Sequence, residues 1–273
     1  MIPFKLGWMR DLPDFRDYTL NTPAVKAVTS NAVAPKVVPT TMDLRKWCTP
    51  IEDQGQLGSC TANAAAGLLE YFENKAFGKY TNASRLFIYK ATRNLLRWQG
   101  DTGAYLRSTM QSLAYFGAPE ELYWPYDITK FDVEPSAFCY AFAENYKALT
   151  YYRLDPPGTA LAQVLANVKN NLINGLPSMF GFTVYSSISN SPEIPFPKTG
   201  DQVAGGHAIM AVGFNDDHPT NTDKGALLIR NSWGTSWGTA GYGWLPYKYI
   251  LSGLATDFWS LVKADYVDSS LFK

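Results

Sequence analysis

Apolar residues recur at helical spacing four times in the first two thirds of the chain. Ala64, Ala65, Leu68, Leu69 and Phe72 predict a helix over Cys60 to Phe77, which Gly78 ends. Leu86, Ile88, Tyr89 and Leu95 predict a second over Ser84 to Leu96. A third opens at Asp101-Thr102-Gly103, runs through Ala114 and closes at Gly117, and a fourth covers Thr159 to Ile173 before Gly175. The period then changes. Ser178 to Tyr185, Gly206 to Phe214, Ala226 to Asn231, Tyr242 to Pro246 and Asp257 to Ala264 are β-branched and aromatic, and read as strands. Helices first and strands second predict an α+β architecture of two lobes with a seam between them.

Residues 1 to about 38 follow neither period. Asn21 to Thr40, rich in Ala, Val, Pro, Thr and Ser, reads as an extended linker. Ahead of it, Phe4, Leu6, Trp8, Leu12, Phe15 and Tyr18 are too many apolar groups to leave in water, so the first twenty residues are expected to dock on the body. The globular part begins near Pro39.

Composition narrows the function classes. The 273 residues allow one large domain or two lobes. Lys plus Arg and Asp plus Glu both number 24, which gives no electrostatic case for nucleic acid or an anionic membrane. No stretch has the apolar length of a membrane span. Met1 to Leu6 lacks the apolar run and cleavage site of a secretory signal, so the cytoplasm is the default compartment, or secretion if a leader precedes Met1. There is no Cys-x-x-Cys, His-Glu-x-x-His or phosphate loop, and neither metal nor cofactor is expected.

Candidate chemistry starts at Gln54-Gly55-Gln56-Leu57-Gly58-Ser59-Cys60. A glycine-punctuated loop runs into the first helix, and Ser59 is a good N-cap. Cys60 then stands in the first turn, where free N–H groups and the helix dipole favour a thiolate. Gln54 offers a side-chain amide to an oxyanion, beside the Cys60 N–H. Of the two histidines, His218 lies in the polar turn Asn215 to Asn221 and reads as a surface residue. His207, after Gly205-Gly206 and before an apolar strand, is the plausible proton acceptor. The strand over Ala226 to Arg230 should pair antiparallel with that of His207 and bring Asn231 to the imidazole, with Trp233 covering the bond. If Cys60 is a free nucleophile, Cys48 and Cys139 are left either as a disulfide pair or as two separate buried thiols.

Gln-Gly-x-x-Gly-Ser-Cys, then His-Ala before an apolar strand, then Asn-Ser-Trp-Gly-x-x-Trp-Gly occur here in that order. In this the chain resembles the papain family of cysteine peptidases, from about Pro39 onward, and among them bacterial members with a short N-terminal arm. The resemblance implies a papain-like fold, with a helical lobe over roughly 50–150, a β-barrel-like lobe over roughly 160–265 and the active-site cleft between them. Residues 1–38 become a prosegment and 39–273 the peptidase domain. It implies a cysteine endopeptidase with Gln54 as oxyanion donor, Cys60 as nucleophile, His207 as base and Asn231 as its orienter. Trp233 becomes the shield and Trp237 a wall on the leaving-group side. Gly103 resembles the glycine whose backbone pairs with substrate as an added strand. Gly181, Gly205 and Ala208 would line a roomy apolar pocket for the residue before the cleaved one, and Asp257 near its floor would admit a basic group. Leu57 stands where the family usually has a disulfide-bonded cysteine, and Thr61 where it has a bulky aromatic. The expected partners are peptide or protein substrates and the chain's own arm lying in the cleft in the reverse of the substrate direction, in a monomer. The alternatives are a transglutaminase-like thiol acyl-transferase on the same residues, or a non-catalytic papain-like binding module.

Overall fold

The computed structural model describes residues 4–29, 38–146 and 148–264. A two-residue strand, β1 (Trp8–Met9), opens the chain and a short helix, α1 (Pro23–Thr29), follows it. Next come β2 (Thr41–Asp43), α2 (Cys60–Phe77), α3 (Arg85–Leu96), β3 (Ala104–Tyr105), α4 (Leu106–Phe116) and α5 (Ala137–Ala143). The second half holds β4 (Ala148–Arg153), α6 (Leu161–Ile173), β5 (Ser178–Tyr185), β6 (Val203–Pro219), β7 (Lys224–Arg230), β8 (Tyr242–Pro246), α7 (Lys248–Leu251) and β9 (Ala255–Ala264).

The strands of the second half form one antiparallel sheet in the order β4-β9-β5-β6-β7-β8, and β2 joins it along β6. Among the described residues this sheet does not close into a barrel. α2 is the hub. Every residue from Cys60 to Glu73 is buried, because one side of the helix meets α3 and α4 and the other meets the sheet. One core cluster therefore runs continuously from Leu68 and Leu86 to Phe180, Met210 and Trp259. A helix buried all round cannot slide or tilt cheaply, so its first residue is a firm mount for a reacting group.

Two local readings need correction, one segment went unread and one open alternative is closed. Within the supposed extended linker, 23–29 is helical and Val25 is fully buried, while 30–37 lie outside the described residues. The third helix starts at Leu106 rather than Asp101, because Ala104–Tyr105 are held extended by pairing with Trp8–Met9. Phe138, Tyr140 and Phe142 alternate as a strand would, yet 137–143 is helical and the Ser136 hydroxyl caps it through the Cys139 N–H. Cys48 and Cys139 are both free thiols, so no disulfide joins them.

Candidate active site

The loop before α2 is clamped to the sheet lobe. The Gln54 N–H donates to the Ser232 carbonyl at 2.9 Å. The Ser232 hydroxyl donates to Gln54 Oε1 at 2.7 Å, which fixes which end of the amide is oxygen. Nε2 is thereby turned to donate to the carbonyls of Leu57 and Lys5, each at 2.9 Å. Ser59 occupies the cap position, but its side chain does not cap. Its hydroxyl pairs with the Tyr126 hydroxyl at 2.5 Å and with Asn63 Nδ2 at 3.1 Å. The first-turn N–H groups are thus left facing Cys60 rather than spent on Ser59.

Cys60 is fully buried, and burial pushes its thiol up to about 11. The backbone N–H groups of Ala208, Gly7, Thr61 and Cys60 itself act in the other direction. Ala208 is the residue after His207, so the thiol and the imidazole share one spot across the seam.

His207 is placed by the sheet. β6 and β7 pair antiparallel with Met210 opposite Arg230, which brings the end of β7 back beside His207. Its Nε2 stands 2.8 Å from Asn231 Oδ1. That oxygen also accepts from the Ser232 N–H at 2.8 Å, so it is an acceptor and Nε2 carries the proton. Nδ1 is then the bare nitrogen, and it has no hydrogen-bond partner among the described residues. Trp233 stacks on the imidazole at 4.4 Å between centroids, and Trp237 stands edge-on to Trp233 at 5.6 Å with its indole N–H on the Ser189 carbonyl. Burial lowers the imidazole to about 4, against the hydrogen bond it donates to Asn231. Both shifts favour the neutral forms of Cys60 and His207 around pH 7.

Residues 4–9 run across this seam. Phe4 lies flat on Trp233 at 5.0 Å and 3°. The Gly7 carbonyl accepts from the Ala104 N–H at 2.8 Å, and β1 runs parallel to β3. Here three glycines allow backbone to meet backbone. A Cβ on Gly7 would fall 2.0 Å from the Gly58 carbonyl oxygen, and one on Gly103 2.1 Å from that of Gly7. The Trp8 ring fills the space where a Cβ on Gly181 or Gly206 would stand, while Gly205 faces Leu6 instead. Ala208 is buried and pairs with Gly181 across β5 and β6.

Asp257 behaves differently from its expectation. Its Oδ1 accepts from Arg153 Nη2 at 2.6 Å and its Oδ2 from the Asp11 N–H at 2.8 Å. The carboxylate is thus already matched to a guanidinium, which speaks against its receiving a basic substrate group. Burial, then the neighbouring Asp11 charge, push it up to about 7, with Arg153 opposing. His218, expected at the surface, stacks on Trp244 at 4.1 Å and pairs with Glu193 at 2.8 Å. The sequence reading passed over Ser232, which orients both Gln54 and Asn231, although it stands between two residues that were singled out. It also passed over Asp101 and Tyr89, where only the neighbouring Gly103 carried a signal. Among the described residues no group of three or more His, Cys, Asp or Glu could hold a metal ion, and no helix is long and apolar enough to cross a membrane.

Known proteins resemble this chain. Residues 38–258 match the pattern of the papain family cysteine proteases. An uncharacterised peptidase C1-like protein of Acanthamoeba polyphaga mimivirus is 36% identical over 93% of this chain and 85% of its own length. Cathepsin K of Mus musculus is 31% identical over 76% of this chain, which spans only 60% of that protein. The crystal structure of xylellain, a cysteine protease from Xylella fastidiosa, superposes with a TM-score of 0.76 at 34% identity, covering 94% of this chain and 95% of that one. A buried cysteine at the head of the central helix and a sheet histidine held by asparagine thus sit within a family-wide sequence match, and the chain belongs to the papain family of cysteine proteases.

Proposed function

We propose that Cys60, His207, Gln54 and Asn231 carry the chemistry of this cysteine endopeptidase, and that residues 4–9 of its own chain hold it inactive. The Cys60 sulfur attacks the scissile carbonyl carbon after its proton passes to His207 Nδ1. The C–S bond forms while the carbonyl electron pair moves onto oxygen, between Gln54 Nε2 and the Cys60 N–H. The oxyanion collapses, the C–N bond breaks, and the imidazolium gives its proton to the departing amine. Water then attacks the thioester carbon while His207 takes its proton, the C–S bond breaks, and the acid leaves the Cys60 thiolate beside the imidazolium. Asn231 keeps Nε2 protonated throughout, so Nδ1 is the nitrogen that takes and returns the proton. Trp233 and Trp237 wall the leaving side, and Gly103, Gly181, Gly205 and Ala208 shape the acyl side. Peptides and proteins are the substrates.

The observation that carries the inhibitory reading is the Lys5 carbonyl on Gln54 Nε2 at 2.9 Å, where an oxyanion would form. Polarity supports it. Phe4 precedes Lys5 and lies at Trp233, while Trp8 follows Lys5 and fills the acyl-side space at Gly181. A substrate has its earlier residues on the acyl side, so the arm runs backwards and its amide nitrogen is misplaced for departure. On this reading 1–38 is a prosegment, released by cleavage between about Thr22 and Pro39. Asp11 and Val25 are buried, so point variants test the idea more cleanly than truncation. Trp8→Ala in the full chain removes a large half-buried ring packed against the core, where loss of a fully buried one costs about 3–5 kcal/mol. Turnover of a fluorogenic peptide is expected to rise at least ~tenfold over the unaltered chain. Equal turnover from two equally folded proteins would rule inhibition out.

A further inference from the structure

Beside the proposed site lies a carboxylate that the hydrolytic steps do not use. Asp101 stands two residues before Gly103. Its Oδ1 accepts from the Gly58 N–H at 3.0 Å and from the Tyr89 hydroxyl at 2.5 Å, and its Oδ2 lies 3.2 Å from the same Gly58 nitrogen. The Tyr89 hydroxyl in turn accepts from the Gly103 N–H at 3.0 Å. Asp101 is therefore tied both to the loop just ahead of Cys60 and to the glycine edge along which the arm runs. A Cβ on Gly58 would come within 2.9 Å of Asp101 Oδ1, so the carboxylate borders that loop directly.

Those donors are neutral, and they hold the carboxylate without balancing its charge. The balancing cation is Lys5, whose Nζ lies 2.7 Å from Oδ2. Lys5 is also the residue whose carbonyl sits on Gln54 Nε2. One residue thus gives its carbonyl to the oxyanion donor and its ammonium to Asp101. During hydrolysis, the carbonyl at Gln54 belongs to the residue just before the scissile bond.

We propose that Asp101 makes this subsite select lysine or arginine at the residue preceding the scissile bond. The inference rests on the reading of Gln54 as the oxyanion donor. The arm runs opposite to a substrate, so the path of the Lys5 side chain is not carried over. What carries over is the span between the oxyanion position and the carboxylate, which the length of one basic side chain bridges. The Asp101 side chain is only 11% exposed. When the arm leaves, that charge loses its cation in a place where water compensates poorly. A basic substrate side chain restores the pair. A neutral one of the same length leaves the carboxylate with its two neutral donors alone.

The test uses the full chain carrying Trp8→Ala and four fluorogenic peptides that differ only at the residue before the cleaved bond. These residues are arginine, its neutral isostere citrulline, lysine and norleucine. We expect kcat/KM for arginine over citrulline, and for lysine over norleucine, to be about tenfold or more, the usual size for a charge-assisted bond. Asp101→Asn in the same background should bring both ratios near one. Four peptides cleaved within twofold of one another would overturn the proposal, and the arginine–citrulline ratio decides this even if the Asp101 variant fails to fold. Ratios that survive Asp101→Asn would overturn it too, by assigning selection elsewhere. Failure to cleave any of the four would instead strike the hydrolytic reading, and the selectivity with it.

Discussion

At one end of the docked arm, Cys60 and His207 are buried with no ionic partner, and burial raises the thiol to about 11 while lowering the imidazole to about 4. At the other end, Asp11 and Asp17 of the arm are buried among Arg107, Arg153, Asp155 and Asp257. Arg107 reaches Asp17 at 2.7 Å, and Arg153 reaches Asp155 at 3.0 Å and Asp257 at 2.6 Å. The Trp259 indole donates to Asp11 at 2.9 Å, and the N–H groups of Asp257 and Phe258 donate to Asp155. Both regions lose water. Only the second is given guanidiniums and backbone donors, which oppose the rise that burial imposes on Asp11, Asp155 and Asp257. The reactive pair is left neutral, and on the proposed reading regains its ion pair when the arm moves and water returns. On that reading the same arm anchors through paired charges and silences by keeping Cys60 and His207 neutral.

The sharpest way to break this comparison is at the nucleophile. Cys60→Ala in the Trp8→Ala chain should abolish peptide turnover while circular dichroism stays unchanged. Normal turnover would remove Cys60 from the mechanism. The anchor breaks at Arg153. Arg153→Met strands Asp155 and Asp257 and should cost about 3–5 kcal/mol of stability, read as a lower denaturant midpoint. An unchanged midpoint would mean the carboxylates had simply neutralised. Gln54→Ala, again with Trp8→Ala, should cost roughly 2.7–4 kcal/mol of transition-state stabilisation, seen in kcat. A change confined to KM would make Gln54 a binding group only.

The smallest effect sharpens the electrostatic side. Asp257 is raised in the folded chain to about 7 from an ordinary 3.8, so its folded form favours the proton. Stability from this group is present below 3.8 and is lost as pH rises through about 7. Asp257→Asn cannot ionise, so the unaltered chain should lose stability relative to the variant between pH 4 and about 8 in paired melts. Parallel pH profiles would show that Arg153 fully offsets the charge.

Much of the candidate site was legible because its residues are locally marked. Glycines, a helix start, an apolar strand and a strand end each bracket one functional group within a few positions, and pairing of β6 with β7 then brings His207 to Asn231 as their strand patterns imply. Helix α2 and strand β5 fall on their predicted bounds, since a long regular apolar period reports burial faithfully. Short elements escaped. β1, β2 and β3 exist only through their partners, and two or three residues carry no period.

The sequence by itself determined the family, the order of lobes and the four residues of the proposed chemistry. Each of these follows from residue type and local spacing. Tertiary structure alone decided the pairing of Trp8–Met9 with Ala104–Tyr105, the stacking of Phe4 on Trp233, and the fate of Asp257. Asp11 and Asp257 are 246 positions apart and meet through one hydrogen bond. No local pattern encodes such a meeting, because the free energy of a buried charge depends on what surrounds it in space. The carboxylate of Asp257 was readable as a potential cation site, but only the folded chain shows that Arg153 had already taken it.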